Sequence, residues 1–313
     1  MLAYIVRRLI SAIPTFLGAV TVVFFIMRLI PGDAALLMLG DNPRQEALDL
    51  LRSRLGLDRP LHVQYGTYIF DVVRGDFGRS IRTSRPVMSE VLRVLPFTAV
   101  LAITGTIIGS LLGIAMGIVS GTRRNSAIDY FVSVVSLTGV SMPIFTIGII
   151  LLVVFSYALQ WLPATGAGRT GSLMDAFRHL LLPSLALGVS ASAIVARMTR
   201  SSVLEILSLD FVRTAHAKGL RPHHVVVKHV LKNAMIPVVT IVGLNFGRLL
   251  SGTVITETLF VRPGLGRLLI DALYARDYPQ VEAAIAFFAL SFIIVNLLVD
   301  LSYAALDPRI QYS

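Results

Sequence analysis

The sequence predicts an all-α, polytopic membrane protein with six transmembrane helices and both termini on the cytoplasmic side. Three observations predict this. Apolar residues make up 55% of the chain and charged residues only 15%, with a mean hydropathy of +0.77, far outside the range of a water-soluble domain. Six apolar stretches are each long enough to cross about 30 Å of hydrocarbon as a helix, which needs roughly 20 residues and satisfies every backbone polar group internally. Basic residues are distributed unevenly over the intervening loops, which orients the chain.

The first span, Leu9–Ile30, follows Arg7-Arg8 and has the outline of a signal peptide. Its apolar run is too long for one and no small-residue cleavage site follows, so it is expected to stay attached. Residues 31–96 form the largest soluble portion, expected as an extracytoplasmic cap. Within it Asn42 to Leu55 carries helix-starting residues followed by apolar positions at helical spacing. The second span, Phe97–Gly121, places Gly105, Gly109, Gly113 and Gly117 at four-residue steps. That flat ridge admits a close neighbour, and packing within the chain is preferred over a subunit interface. The third and fourth spans, Tyr130–Ala158 and Leu180–Ala196, contain Pro143 and Pro183. Each proline frees a carbonyl, so a simple packing kink is expected, the alternative being that Ser141 or Thr138 lines a wet interior. Ala234–Ile255 and Val281–Ala304 complete the set. No linker composition divides the spans, so residues 1–313 are expected to be a single membrane domain.

With the amino terminus inside, the segments 1–8, 122–129, 197–233 and 307–313 hold twelve Lys/Arg against five in the short outer loops 159–178 and 257–280. Nearly all of the +10 net charge is then cytoplasmic, so the high pI reports topology and not nucleic-acid binding. There are no cysteines, which excludes disulfides, thiolate nucleophiles and Cys-based metal sites in this chain.

The most informative segment is cytoplasmic. Residues 197–233 contain seven basic residues, including all three lysines, Lys218, Lys228 and Lys232. Asp210 to Lys218 reads as a helix ended by Gly219, and Pro222 opens a second short helix with apolar positions Val226, Val230 and Leu231. Two short helices around a glycine corner exceed what a stop-transfer signal needs.

Here the sequence resembles the permease subunits of ABC-type importers, in their dipeptide/oligopeptide/nickel branch. The general importer pattern is Glu-Ala-Ala, three residues, Gly, nine residues, then Ile-x-Leu-Pro. It falls on Arg213-Thr214-Ala215, Gly219 and His229-x-Leu231-Lys232, with Arg for Glu and Lys for Pro. The peptide branch typically reads Arg-Thr-Ala-Arg-Ala-Lys-Gly-Leu followed by Arg-Asn-Ala and a proline, from which His216 and Lys232 depart. The resemblance also runs through Arg7-Arg8-Leu9, Pro31-Gly-Asp33, Leu55-Gly-Leu-Asp-Arg-Pro-Leu61, Gly75-Asp-Phe-Gly78, Pro263-Gly-Leu-Gly266, Arg276-Asp-Tyr-Pro279 and Asp307-Pro-Arg-Ile310, and so covers the whole chain.

It implies an ABC importer permease fold in the bacterial inner membrane and an assembly with a second homologous permease, two cytoplasmic P-loop ATPases and an external solute-binding protein, besides membrane lipid. Arg213, Thr214, Ala215, His216, Ala217, Lys218 and Gly219 are expected to dock the ATPase, small Ala215 and Ala217 allowing close approach. Asp76, Glu257, Arg262 and Asp277 are candidates for contact with the binding protein, and Ser141, Asn245 and Arg248 for the translocation path. Arg248 either faces that path or pairs with Asp300, the tie being preferred. The chain has no Gly-x-x-x-x-Gly-Lys-Ser/Thr loop, so ATP and Mg²⁺ are expected on partner subunits and no cofactor here.

Three other readings are weaker. An ion-coupled carrier would show several acids or histidines deep in its spans, whereas Arg28 and Glu282 lie near outer ends, where they snorkel or cap. A hydrolase would need a nucleophile with a base or a metal cluster. His223, His224 and His229 stand beside Lys228 and Lys232, which disfavours a cation site. Pro263-Gly-Leu-Gly266 lacks the third glycine of a dinucleotide loop. Anionic lipid at the basic loop is a side role only.

Overall fold

The computed structural model describes residues 2–29, 36, 39 and 44–306, with side chains described for 6–29, 36, 39, 44–50, 52–53 and 56–299. Pro31-Gly-Asp33, Asn42 and Asp307-Pro-Arg-Ile310 lie outside the described residues, as does the side chain of Asp300. Among the described residues the chain is helical, with no strand beyond an isolated bridge between Arg79 and Pro86. The helices are α1 (Leu2–Leu29), α2 (Gln45–Leu55), α3 (Leu61–Arg74), α4 (Val87–Thr122), α5 (Ala127–Ser141), α6 (Ile144–Leu151), α7 (Leu173–Leu207), α8 (Asp210–Ala217), α9 (Pro222–Val225), α10 (Leu231–Leu259), α11 (Leu265–Tyr274) and α12 (Tyr278–Leu306). A π-helical stretch extends α6 through Leu152–Ala158, and another, Val226–Val230, joins α9 to α10.

Among the described residues, five helices are long and apolar enough to cross a membrane: α1, α4, α7, the 38-residue run Pro222–Leu259, and α12. The predicted third span is a broken pair, Ala127–Ser141 and Ile144–Ala158, bent by 108°. This corrects the expectation of a simple kink. Met142 adopts an extended conformation (φ −81°, ψ 127°), because the ring of a following proline disfavours the helical region for the residue before it. Pro183, by contrast, is carried inside α7 without ending it. The structure also corrects span lengths. At 36 and 35 residues, α4 and α7 extend to about 50 Å, longer than the roughly 30 Å of a hydrocarbon core.

The chain divides into two compact units, the division passing through α1, α4 and α12. Among the described residues the first comprises 2–5, 98–263 and 294–306. Helices in lipid gain little from apolar burial against one another, so close backbone approach and polar contacts hold them. The glycine ridge of α4 supplies the approach. A Cβ on Gly109 would lie 2.8 Å from Ala191 Cβ, and one on Gly113 2.6 Å from Val195 Cβ, so the ridge packs against α7 of the same chain, as preferred. Thr104 and Ser184 share a hydrogen bond of 2.7 Å across this contact. Leu101, Leu187, Ala191 and Leu249 form one buried cluster, and Leu182, Ala186 and Phe260 another.

The second unit comprises Val6–Phe97 and Gly264–Ile293. Its core joins Val20, Phe24, Tyr68, Val72 and Ala286 in one cluster and Val87, Val91, Val94, Leu265, Ala283 and Ala284 in another. Arg28 and Glu282 pair with each other at 2.8 Å, and the Arg28 guanidinium lies 3.4 Å from the centre of the Phe24 ring. Two charges, one near the C-terminal end of α1 and one near the N-terminal end of α12, thus neutralise one another.

Candidate coupling corner and outer anchors

The corner at Asp210–Gly219 is built on the end of α7. Val212 and Ala215, three residues apart on α8, turn inward onto Val203, Val225, Val230 and Ala234, with Ile206, Leu207, Leu231 and Met235 around them. The corner is therefore packed and not a loose loop. Its turn is a Schellman motif: the amide of Gly219 donates to the carbonyl of His216 at 2.9 Å, and that of Leu220 donates to Ala215 at 3.3 Å. The motif needs a residue at positive φ, and Gly219 has φ +78°. Pro222 stands at the first turn of α9, where its missing N–H leaves no hydrogen bond unmade. The second helix, expected as a short separate piece, instead runs on through the π-helical turn into α10.

Of the seven residues expected to dock a partner, Arg213, Thr214, His216, Ala217, Lys218 and Gly219 are exposed. Ala215 is only 8% exposed, so its small size serves packing of α8 on this chain and not approach of another. Arg213 and Asp210 form an exposed ion pair at 3.5 Å, of a kind that contributes little. Reading by motif passed over the apolar residues around the corner: Leu209, Phe211, Leu220 and Val227 are all exposed. Their signal was an apolar residue on the outer face of a short basic helix.

One anchor of this corner was not singled out in the sequence. Asp129, at the start of α5, accepts two hydrogen bonds from the Arg200 guanidinium, at 2.7 and 2.9 Å, and one from the Asn125 amide at 2.9 Å. The hydroxyl of Ser120 also donates to it. This bidentate pair ties α5 to the part of α7 that leads into the corner.

The candidates for binding-protein contact separate by burial. Asp76 is exposed, and its carboxylate accepts from the amide of Gly78 at 2.9 Å. Glu257, Arg262 and Asp277 are 0%, 4% and 0% exposed, so they hold structure beneath the surface. Glu257 accepts from the Thr98 hydroxyl at 2.6 Å and its carbonyl accepts from the Arg262 amide at 2.8 Å. Burial lowers the pKa of Arg262, and the charge of Glu257 opposes that shift. Asp277 binds the turn at Ser80.

The path candidates also separate. Asn245 is buried and donates to the Ala191 carbonyl at 3.4 Å, a helix-to-helix contact within the chain. Ser141 is exposed beside the α5–α6 break, and Arg248 is exposed midway along α10 on a face shared with Leu244, Ser251 and Ile255. The structure does not bring Ser141, Asn245 and Arg248 to one surface. Among the described residues no group of three His, Cys, Asp or Glu side chains is placed to hold a metal ion.

Comparison with known proteins bears on this arrangement. Residues 109–312 match the family described as the binding-protein-dependent transport system inner membrane component, and residues 1–102 match its N-terminal companion family. The glutathione transport system permease protein GsiC of Salmonella paratyphi A is 46% identical over the full length of both chains. The dipeptide transport system permease protein DppB of Alkalihalophilus pseudofirmus is 43% identical, again over the full length of both. Among solved structures, an inward-facing form of the MetNI methionine ABC transporter superposes with a TM-score of 0.61 at 17% identity, covering 72% of this chain and 100% of that one.

Proposed function

From the premise that this chain belongs to the family of binding-protein-dependent transport system inner membrane components, and is an inner-membrane permease component of an ABC-type importer, we propose how it works. The corner at Asp210–Gly219 docks a cytoplasmic P-loop ATPase, which supplies ATP hydrolysis and its Mg²⁺. The observation that carries this is the corner itself: a rigid, Schellman-capped helix, packed inward through Val212 and Ala215, that presents Phe211, Leu209 and Leu220 among basic residues. Exposed apolar side chains ringed by polar ones mark a protein contact.

In this reading the α5–α6 pair is one broken span, both termini are cytoplasmic, and the two units act as one permease domain. A second homologous permease covers the face of α10 that carries Arg248, so that the path runs between the two. Arg248, and Ser141 at the break, then meet the solute, while Asn245 stays a packing residue. Glu257, Arg262 and Asp277 position outer loops whose exposed neighbours, Asp76 among them, receive the solute-binding protein. Glutathione and dipeptides, named in the relatives, set the class of cargo: short peptides.

The test is co-purification through a tag on this chain in mild detergent, followed by ATPase assay. The expected result is recovery of a second permease and P-loop ATPases, with hydrolysis stimulated by a solute-binding protein. A lone homo-oligomer without ATPase activity, reproduced after crosslinking in cells, overturns the reading in favour of an ion-coupled carrier.

A further inference from the structure

A groove of about 320 Å³ lies between α5 and α7, wholly within the first unit. Its two ends differ in chemistry. At one end stand Ser120 and Arg200, both bonded to Asp129, with Arg197 one helical turn away from Arg200. At the other end the wall is Val140 and Ala193, beside the point where a Cβ on Gly139 would lie 3.2 Å from Ala193 Cβ. Asp129 and Gly139 are ten residues apart on one helix, about 15 Å. The groove thus leads from charge into apolar surface along the direction of the spans.

The charged end is positive in excess. Two guanidiniums belong to the wall and no carboxylate does. Asp129 neutralises Arg200 from behind through two hydrogen bonds. Arg197 is left over: it is exposed, and among the described residues it makes neither an ion pair nor a hydrogen bond. It directly follows the apolar stretch Leu180–Ala196, the level at which basic side chains between helices meet lipid headgroups. Ser136 adds an independent observation. It lines the groove deeper along α5, is only 8% exposed, and its hydroxyl makes no hydrogen bond among the described residues. A buried donor of this kind is unfavourable unless a ligand supplies an acceptor. Ser133, one turn nearer the charged end, likewise has an unbonded hydroxyl.

A ligand that completes this wall brings an anion for Arg197, acceptor oxygens for Ser133 and Ser136 one turn deeper, and a hydrocarbon chain for Leu137, Val140 and Ala193. Those three requirements, in that order along one axis, are the phosphodiester, the ester carbonyls and the acyl chain of a phospholipid. We infer that the groove between α5 and α7 binds an anionic phospholipid, its phosphate on Arg197. A soluble phosphate leaves the apolar end uncovered, and a ligand bearing an ammonium finds no carboxylate in the wall. The inference rests on this groove and on the membrane location of the chain, not on the coupling corner.

The experiment is native mass spectrometry of the complex purified through this chain in mild detergent, stripped of lipid and then given defined probes. The probes are dioleoylphosphatidylglycerol, dioleoylphosphatidylcholine and inorganic phosphate. Phosphatidylglycerol is expected to stay bound under activation that removes phosphatidylcholine, and millimolar inorganic phosphate is expected not to displace it. Arg197→Gln should weaken the phosphatidylglycerol adduct about tenfold without lowering the melting temperature, since the guanidinium has no partner inside the protein. Ser133→Trp, at an exposed position in the wall, fills the groove and should remove the adduct. Arg124→Gln, exposed near the start of α5 and outside the groove, should leave it unchanged. An undiminished adduct in Arg197→Gln or in Ser133→Trp overturns the inference, as does an equal loss in Arg124→Gln, which marks a diffuse basic surface. Displacement by inorganic phosphate marks a soluble-anion site and overturns it too. Loss of a second permease from the Ser133→Trp complex shows the groove to be a subunit contact, which overturns the lipid site and leaves the importer reading standing.

Discussion

The carboxylate of Asp277 accepts hydrogen bonds from the Ser80 hydroxyl and from the backbone amides of Ile81 and Arg82, at 3.1 and 3.3 Å for the amides. A residue at the corner between α11 and α12 thereby closes the turn that follows α3. Ser80 in turn accepts from the Thr83 amide at 3.0 Å, and Thr83 donates to Glu90 at 3.2 Å. Gln280 also donates to Glu90. Two motifs nearly 200 residues apart, Gly75-Asp-Phe-Gly78 with its following Ser80 and Arg276-Asp-Tyr-Pro279, form one polar assembly.

Asp277→Ala should therefore act as a positioning defect. It leaves three donors without an acceptor, each worth about 1–3 kcal/mol when buried. Stimulation of ATPase activity by solute-binding protein is expected to fall, with basal ATPase activity retained. Full stimulation in a stably expressed Asp277→Ala assembly would separate this turn from binding-protein contact.

Gly219 has positive φ, but a Cβ there meets nothing within 4 Å. The penalty for substitution is thus purely conformational, about 1–2 kcal/mol for an ordinary residue and more for a β-branched one. Gly219→Asn should keep coupled transport, and Gly219→Val should insert normally while uncoupling ATP hydrolysis from uptake. Measuring both rates on the same proteoliposomes checks this. Normal uptake by Gly219→Val would remove the coupling role from the corner.

Asp129 has a side chain 4% exposed and Arg200 keeps 33% of its own. Removing the carboxylate strands the guanidinium and the hydroxyl of Ser120. Asp129→Ala is expected to destabilise the chain by about 3 kcal/mol, the low end for a buried pair because Arg200 reaches solvent. A thermal-unfolding series in detergent with Asp129→Ala, Arg200→Ala and the double variant gives the coupling. Additive losses would show that the pair is not an interacting unit.

On Gly113 a Cβ would meet the Ser192 carbonyl at 2.7 Å as well as Val195, and backbone cannot swing aside. Gly113→Val should cost about 3 kcal/mol or more and reduce the folded yield. Gly18, with nothing within 4 Å, is the control: Gly18→Ala is expected to be neutral. Equal yields for the two variants would contradict the packing of α4 on α7.

Orientation is testable because the chain has no cysteine. Single cysteines at Arg124 and Arg221 should react only from the cytoplasmic side, and those at Thr170 and Arg82 only from outside. Were α5 and α6 a re-entrant pair, Thr170 would label from the same side as Arg124.

The sequence by itself determined the helical membrane class, the apolar spans and the glycine corner, whereas the α4 ridge served either a neighbour in the chain or a subunit until its contacts with Ala191 and Val195 decided it. The first three depend on composition, periodicity and the conformational needs of Gly219 and Pro222, all read within a few neighbouring residues. Pro143 marks the limit of that reading: its presence predicts a disturbance, but not the 108° angle at which α5 and α6, each packed on α7, depart from one another. Only the tertiary structure decided that Arg28 meets Glu282 across 254 positions and Arg200 meets Asp129 across 71. It likewise turned Ala215 and Asn245 inward and buried Glu257, Arg262 and Asp277. Whether a polar side chain serves a surface or a fold depends on which helices it lies between, and that is a property of contacts distant in the chain.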